Sequence, residues 1–104
     1  VVEMVENLVA YAGDDDWLLK AVKIIARASP TSLTLHWRHY HRSTRDSLSQ
    51  VFDRELEISR RCLVTGEFAE GVRALLIDKD LEPRWRFSSL DQVDPEWVDP
   101  FFTD

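Results

Sequence analysis

Lys79, Arg84 and Arg86 lie close together in the chain, interleaved with Trp85 and Phe87. Cations beside aromatic rings can clasp a phosphate and stack on a purine. The same residues also read more plainly, as a helix C-terminus stabilised by Lys79 and followed by a polar loop. Other reactive side chains have structural readings. His36 and His39 sit at i, i+3, which can bring two imidazoles together on a helix. A usable metal site needs a third ligand and supporting contacts. The sequence offers neither, and Arg38 and Arg42 would repel a cation, so no metal is expected. Cys62 falls on an apolar helix face, where a thiol behaves as a small hydrophobe. Ser29, Thr31 and Ser32 read as helix-capping residues, without the strained, glycine-flanked elbow of a hydroxyl nucleophile. Glu55, Glu67, Glu70 and Asp78 are candidate acids or bases, but that work needs a cleft and a shifted pKa. Glu70 and Arg73, three apart, read as an ion pair. No catalytic residue is assigned.

The elements that carry these residues read as helices. Met4, Val5, Leu8, Val9 and Ala12 keep helical spacing, and Gly13 ends that run. Asp14, Asp15 and Asp16 suit the cap and first turn of a second helix. It is expected to turn Trp17, Leu18, Ala21, Val22, Ile25 and Ala28 inward. Pro30 opens a third helix, with Leu33, Trp37 and Tyr40 as its apolar stripe and His36, Arg38, His39 and Arg42 on its other side. After a polar joint at Ser43 to Asp46, a long helix runs from about Ser47 to Leu63. One broad face holds Leu48, Val51, Phe52, Glu55, Leu56, Ser59, Cys62 and Leu63. The solvated face holds Asp53, Arg54, Glu57, Arg60 and Arg61. Thr65-Gly66 stops it. Phe68, Val72, Leu75 and Leu76 mark a fifth helix to about Ile77. Ser88 or Ser89 can cap a short turn, and Asp94-Pro95-Glu96 starts another. The expectation is an all-α chain of about five amphipathic helices. It divides into a helical hairpin (1–28), the helices behind Ser29-Pro30-Thr31-Ser32 (29–80), and an extended tail with short turns (81–104).

Composition narrows the class. The chain has 104 residues, 44% of them hydrophobic, which suits one small globular unit. Its net charge of −6 argues against a general nucleic-acid binder. The central arginines, Arg38 to Arg61, could still offer a small anion a basic face. A single cysteine excludes a disulfide framework. No apolar run approaches the ~20 residues of a membrane span, so no membrane partner is expected. The chain opens on Val1, and the expectation is that further sequence precedes it.

Several segments resemble one family. Ser29-Pro30-Thr31-Ser32-Leu33 is similar to an element of the 3-hydroxyisobutyryl-CoA hydrolases. Glu70-Gly71-Val72-Arg73-Ala74, with Leu76-Ile77-Asp78-Lys79-Asp80 and Pro83-Arg84-Trp85, resembles their C-terminal signature. Val5-Glu6-Asn7-Leu8 and Asp99-Pro100-Phe101-Phe102 have similar counterparts. His36 to His41 departs from the more aliphatic pattern common in relatives. The family is a branch of the enoyl-CoA hydratase/isomerase, or crotonase, superfamily. The resemblance implies an enzyme three to four times this length, with a ββα spiral core that holds an acyl-CoA and an oxyanion hole for its thioester carbonyl. This chain would be its C-terminal helical domain, which covers the acyl-CoA site, supports the core and takes part in subunit contacts. It would be inactive alone, because the catalytic segments have no match here. Lys79, Arg84 and Trp85 become candidates for binding CoA, with Lys79 at the position of a lysine that approaches the nucleotide in related hydratases. Acyl-CoA enters as substrate, and no cofactor is implied. The implied partners are the N-terminal core of the same enzyme and a second copy in a homo-oligomer. The location would be cytoplasmic in a bacterium and the mitochondrial matrix in a eukaryote, where the reaction belongs to valine breakdown. The same domain of an enoyl-CoA hydratase or isomerase is an alternative reading. A stand-alone helical interaction module is another.

Overall fold

The computed structural model of the chain describes residues 1–102, so the last two residues of the tail lie outside it. The described residues are all-α, as the periodicity implied. The helices are α1 (Val2–Ala12), α2 (Asp16–Arg27), α3 (Pro30–Ser43), α4 (Leu48–Thr65), α5 (Glu67–Val72) and α6 (Pro95–Val98). A π-helical turn, Arg73–Ile77, continues α5, and 3-10 turns at Leu90–Gln92 and Asp99–Phe102 flank α6.

The boundaries follow from local chemistry. Asp15 accepts the Leu18 amide, Ser29 that of Ser32, and Asp94 that of Glu96, so each occupies one donor left free at a helix start. Pro30 and Pro95 stand just inside their helices. Ser47 and Gln50 exchange side-chain and backbone bonds in a capping box that fixes the start of α4. Gly66, at φ 87°, reverses the chain between α4 and α5. Capping does not explain all three hydroxyls behind Ser29. Ser29 alone caps; Thr31 is buried with its Oγ1 unpartnered among the described residues, and Ser32 lines a cleft.

The core lies where α3, α4 and the tail meet. Leu35, Val98, Phe101 and Phe102 form its centre, and Ile58, Cys62, Val93 and Trp97 pack around them. Arg38 and Arg42 lie 5.2 and 5.1 Å from the Phe102 ring centre. Arg38 also donates to Asp99 at 2.7 Å, and Arg42 donates to the Phe102 carbonyl. These contacts reverse the expected faces of α3. Trp37 and Tyr40 point outward, and Arg38 and Arg42 of the supposed polar side face the tail. A ring and a carboxylate carried by the tail are better partners for guanidinium groups than water-exposed positions. All the central arginines but Arg45 are engaged among the described residues: Arg54 pairs with Asp46, and Arg60 and Arg61 with Glu57. Arg54 is thus drawn off the solvated face assigned to it.

Several other apolar residues lie outside the core. Trp17, expected inside, is 76% exposed. The broad face of α4 divides: Val51 and Cys62 are half-buried, whereas Leu48, Phe52, Leu56 and Leu63 stay at the surface.

One buried carboxylate joins three segments. Glu67, 7% exposed, accepts the Ser29 hydroxyl at 2.6 Å and the Arg86 backbone N–H at 2.9 Å. Ser29 Oγ accepts from Ser32 while it donates to Glu67, so the cap of α3, the start of α5 and the tail share one hydrogen-bonded chain. A hydrogen bond to a charged group contributes about 1.5–3 kcal/mol. In the whole protein, Glu67→Ala is expected to speed amide exchange at Ser32 and Arg86 about 10–100-fold. Unchanged exchange at both amides would show that the carboxylate does not join these segments.

Candidate functional site

The basic and aromatic residues that opened the sequence reading are held by α5. Glu67 and Glu70 are nearly one turn apart, and the tail crosses them so that the Arg86 N–H meets Glu67 at 2.9 Å and the Arg84 N–H meets Glu70 at 3.5 Å. Trp85 lies between these two amides. Its indole N–H donates to the Arg27 carbonyl at 3.2 Å and satisfies an acceptor at the end of α2. Its ring packs on Gly71, where a Cβ would come within 3.3 Å of Cη2. Any larger residue at 71 would press on the indole, so Gly71 favours this close approach.

Beyond Gly71 the segment closes around Arg73. Its Nε donates to both Glu70 oxygens, at 2.6 and 2.9 Å, and one Nη donates to Asp78 and Asp80, each at 2.8 Å. The second Nη reaches the Glu82 carbonyl. The Asp78 N–H bonds back to the Arg73 carbonyl, the Leu81 N–H to the Ala74 carbonyl, and Asp80 caps the Glu82 amide. The loop turns through left-handed backbone at Lys79 (φ 54°) and Leu81 (φ 57°). Neither is glycine, and such conformations cost roughly 1–3 kcal/mol each. The hydrogen bonds from Arg73 also set the local titration: they hold Glu70 and Asp80 below the ordinary carboxylate range and raise Arg73 further. The Glu70–Arg73 pair read from the sequence is thus one arm of a larger hub.

The binding candidates divide among three situations. Trp85 lines a groove of about 750 Å³ together with Ile24, Phe68, Leu75, Leu81 and Pro83. Lys79 and Arg84 are exposed and stand beside this lining in sequence, not within it. Lys79 makes no hydrogen bond or ion pair among the described residues, and Arg84 acts on Asp80 only through its charge. Arg86 turns away and lies 4.7 Å over the Trp97 ring. Phe68, Leu75 and Leu76, expected to pack inside, form groove wall instead, and Ala74 is the buried residue of that stretch.

Two of the three histidines are engaged. His39 meets Glu55 at 3.3 Å, beside a second cleft of about 530 Å³ lined also by His36, Ser59 and Cys62. His41 packs edge-on against Trp37 and Tyr40. Burial, helped by the Glu67 charge, pushes the Cys62 thiol up and leaves it a poor nucleophile. Arg73 as a hub was missed in the sequence. The recurrence of acids at 78 and 80 after an Arg was a signal, but it required knowing that the chain doubles back.

A family model for enoyl-CoA hydratase/isomerase matches residues 1–102. The chain belongs to that family. It is 42% identical to the mitochondrial 3-hydroxyisobutyryl-CoA hydrolase of Danio rerio, over 99% of this chain and 26% of the relative. The Gallus gallus enzyme of the same name is 43% identical over 80% of this chain and 22% of its own length. The Homo sapiens enzyme is 35% identical over 98% of this chain and 26% of its own. The chain spans about a quarter of the length of these relatives. Among the described residues, no helix is long and apolar enough to cross a membrane.

The hub carries a pH dependence of definite sign. Glu70 and Asp80 have lowered folded-state pKa values, so their contribution is complete above the unfolded values and is lost as pH falls through the folded ones. Exchange at the Leu81 and Glu82 amides, corrected for intrinsic rate, is expected to hold steady down to about pH 4 and to accelerate only below it. Acceleration beginning near neutrality would contradict the hub.

Proposed function

We propose that the whole protein is an acyl-CoA thioester hydrolase acting on 3-hydroxyisobutyryl-CoA, and that this chain is its C-terminal helical part, covering the acyl-CoA site and supporting the core. The observation that carries the structural half of this reading is surface area. A compact monomer of this mass exposes about 6,000 Å², whereas this chain exposes 7634 Å². The excess is about twice what one partner contributes to a standard protein–protein interface. Its Cα radius of gyration, 14.9 Å, also exceeds the ~13 Å of a self-contained unit. Leu48, Phe52 and Leu56 recur every fourth residue on the open side of α4, a spacing that suits burial against another surface.

The chemical half rests on the relatives' names and on the loop. In thioester hydrolysis, water adds to the carbonyl carbon, and the C–S bond breaks as the tetrahedral intermediate collapses. The products are a carboxylic acid and the CoA thiol, the proton balance being met by groups in the remainder of the protein. This chain supplies binding energy at the far end of the substrate. Lys79 and Arg84 attract the phosphates, and Trp85 offers its groove-facing edge to the nucleotide. Contacts remote from the reacting carbonyl lower the barrier only when they help position it. The hydrolase would work in the mitochondrial matrix of a eukaryote, within valine breakdown, or in the cytoplasm of a bacterium.

The test is Lys79→Ala in the whole protein. Its KM for the CoA thioester is expected to rise about 3–10-fold at ~0.01 M salt, with a smaller change at ~1 M, where charges are screened within a few ångströms. A KM unchanged at low salt would leave Lys79 as a helix-terminal residue without a ligand.

A further inference from the structure

Between residues 70 and 86 the chain carries four carboxylates (Glu70, Asp78, Asp80, Glu82) and four cations (Arg73, Lys79, Arg84, Arg86). Such a segment has no net attraction for an anion unless its charges are sorted in space. Asp78 and Asp80, the immediate neighbours of Lys79, are the obvious competitors for its ammonium group. Neither pairs with it. Both turn back to a single Nη of Arg73, at 2.8 Å each, while Glu70 holds the Nε of the same guanidinium. Lys79 is left exposed, at the left-handed corner of the loop, with no partner among the described residues. The backbone between Asp78 and Asp80 takes a conformation that disfavours side chains, so the sorting is held by the guanidinium and not by an easy turn. Non-glycine strain of this kind clusters at active sites, ligand clamps and switch regions.

We infer that Arg73 is a positioning residue for anion binding: by withdrawing Asp78 and Asp80 it leaves Lys79 unneutralised, and it thereby sets affinity for the phosphate-bearing end of the substrate. The inference rests on the acyl-CoA reading above. It adds that Arg73 never touches the ligand and acts through two carboxylates. Without the guanidinium, Asp78 and Asp80 become free to pair with Lys79 and to repel a phosphate across the same few ångströms.

The test uses the whole protein and two probes, the 3-hydroxyisobutyryl thioesters of CoA and of pantetheine, which lacks the nucleotide phosphates. Arg73→Gln is expected to raise KM for the CoA thioester about 5–20-fold at low salt, with the loss confined to that substrate. Adding Asp78→Asn and Asp80→Asn in the Arg73→Gln background should restore most of the affinity, because the competing charges are gone. Equal losses on both thioesters, or no rescue by the paired Asn changes, would overturn the inference and leave Arg73 as a fold residue. Should Arg73→Gln fail to fold, Asp78→Asn with Asp80→Asn in the otherwise native protein decides the matter. It should tighten CoA-thioester binding about 2–3-fold at low salt, and weaker or unchanged binding would overturn the inference. The two levels separate cleanly. No loss in Lys79→Ala removes Lys79 as the CoA contact on which the inference rests, whereas loss in Lys79→Ala with none in Arg73→Gln sinks only the role given to Arg73.

Discussion

The path of the tail depends on two carboxylates of α5. Glu67 and Glu70 present acceptors to the amides of Arg86 and Arg84, so an irregular segment gains hydrogen bonds it could not make alone. Glu67 also takes the Ser29 hydroxyl, which ties the start of α3 to the same point. With the tail held there, Trp85 falls on Gly71 and reaches the end of α2, and the following residues reach the core with Val98, Phe101 and Phe102. Val98 and Phe101 are 0% and 2% exposed, so the two largest fully buried side chains lie downstream of this anchor. An unpaired buried carboxylate would be costly. Here each bond that relieves Glu67 also fixes a neighbouring element.

The same arrangement explains why the segment from Glu70 to Trp85 reads as a signature while containing little reactive chemistry. Glu70, Gly71, Arg73, Asp78, Asp80 and Trp85 each have a defined structural contact. Gly71 admits an indole ring; Asp78 and Asp80 satisfy one guanidinium. Lys79, Glu82 and Arg84 are the charged side chains of that stretch left toward solvent with no hydrogen bond of their own among the described residues, and two of the three are cations. The loop that fixes the fold therefore also carries the two cations assigned to the proposed ligand.

Local chemistry was legible in the sequence. The caps at Asp15, Ser29 and Asp94, the reversal at Gly66, and the Glu57–Arg60 and Glu70–Arg73 pairs lie within a few residues of one another and need no tertiary information. Facing was less legible. Periodicity marks an apolar stripe, but it cannot say whether the partner that covers it lies in the same stretch of chain. The stripe of Leu33, Trp37 and Tyr40 ends at exposed rings because Leu35 and the arginines of α3 take the tail. Trp17, Phe52 and Leu56 stay outside for a related reason: their periodicity calls for a surface that these residues do not themselves provide. At the candidate site, the cations and the ring were visible as residue types. Their sorting by Arg73 was not, because it depends on the chain doubling back through left-handed Lys79 and Leu81.

The central claim is that the Arg73-closed loop and its neighbouring groove meet the CoA end of the substrate. Hydrogen–deuterium exchange on the whole protein, with and without coenzyme A, addresses it most directly, because exchange reads ligand contact segment by segment. Saturating coenzyme A is expected to slow exchange across residues 73–86 and to leave the core segment at 97–102 unchanged. Protection confined to other parts of the protein, with 73–86 exchanging at the same rate in both states, would contradict the claim.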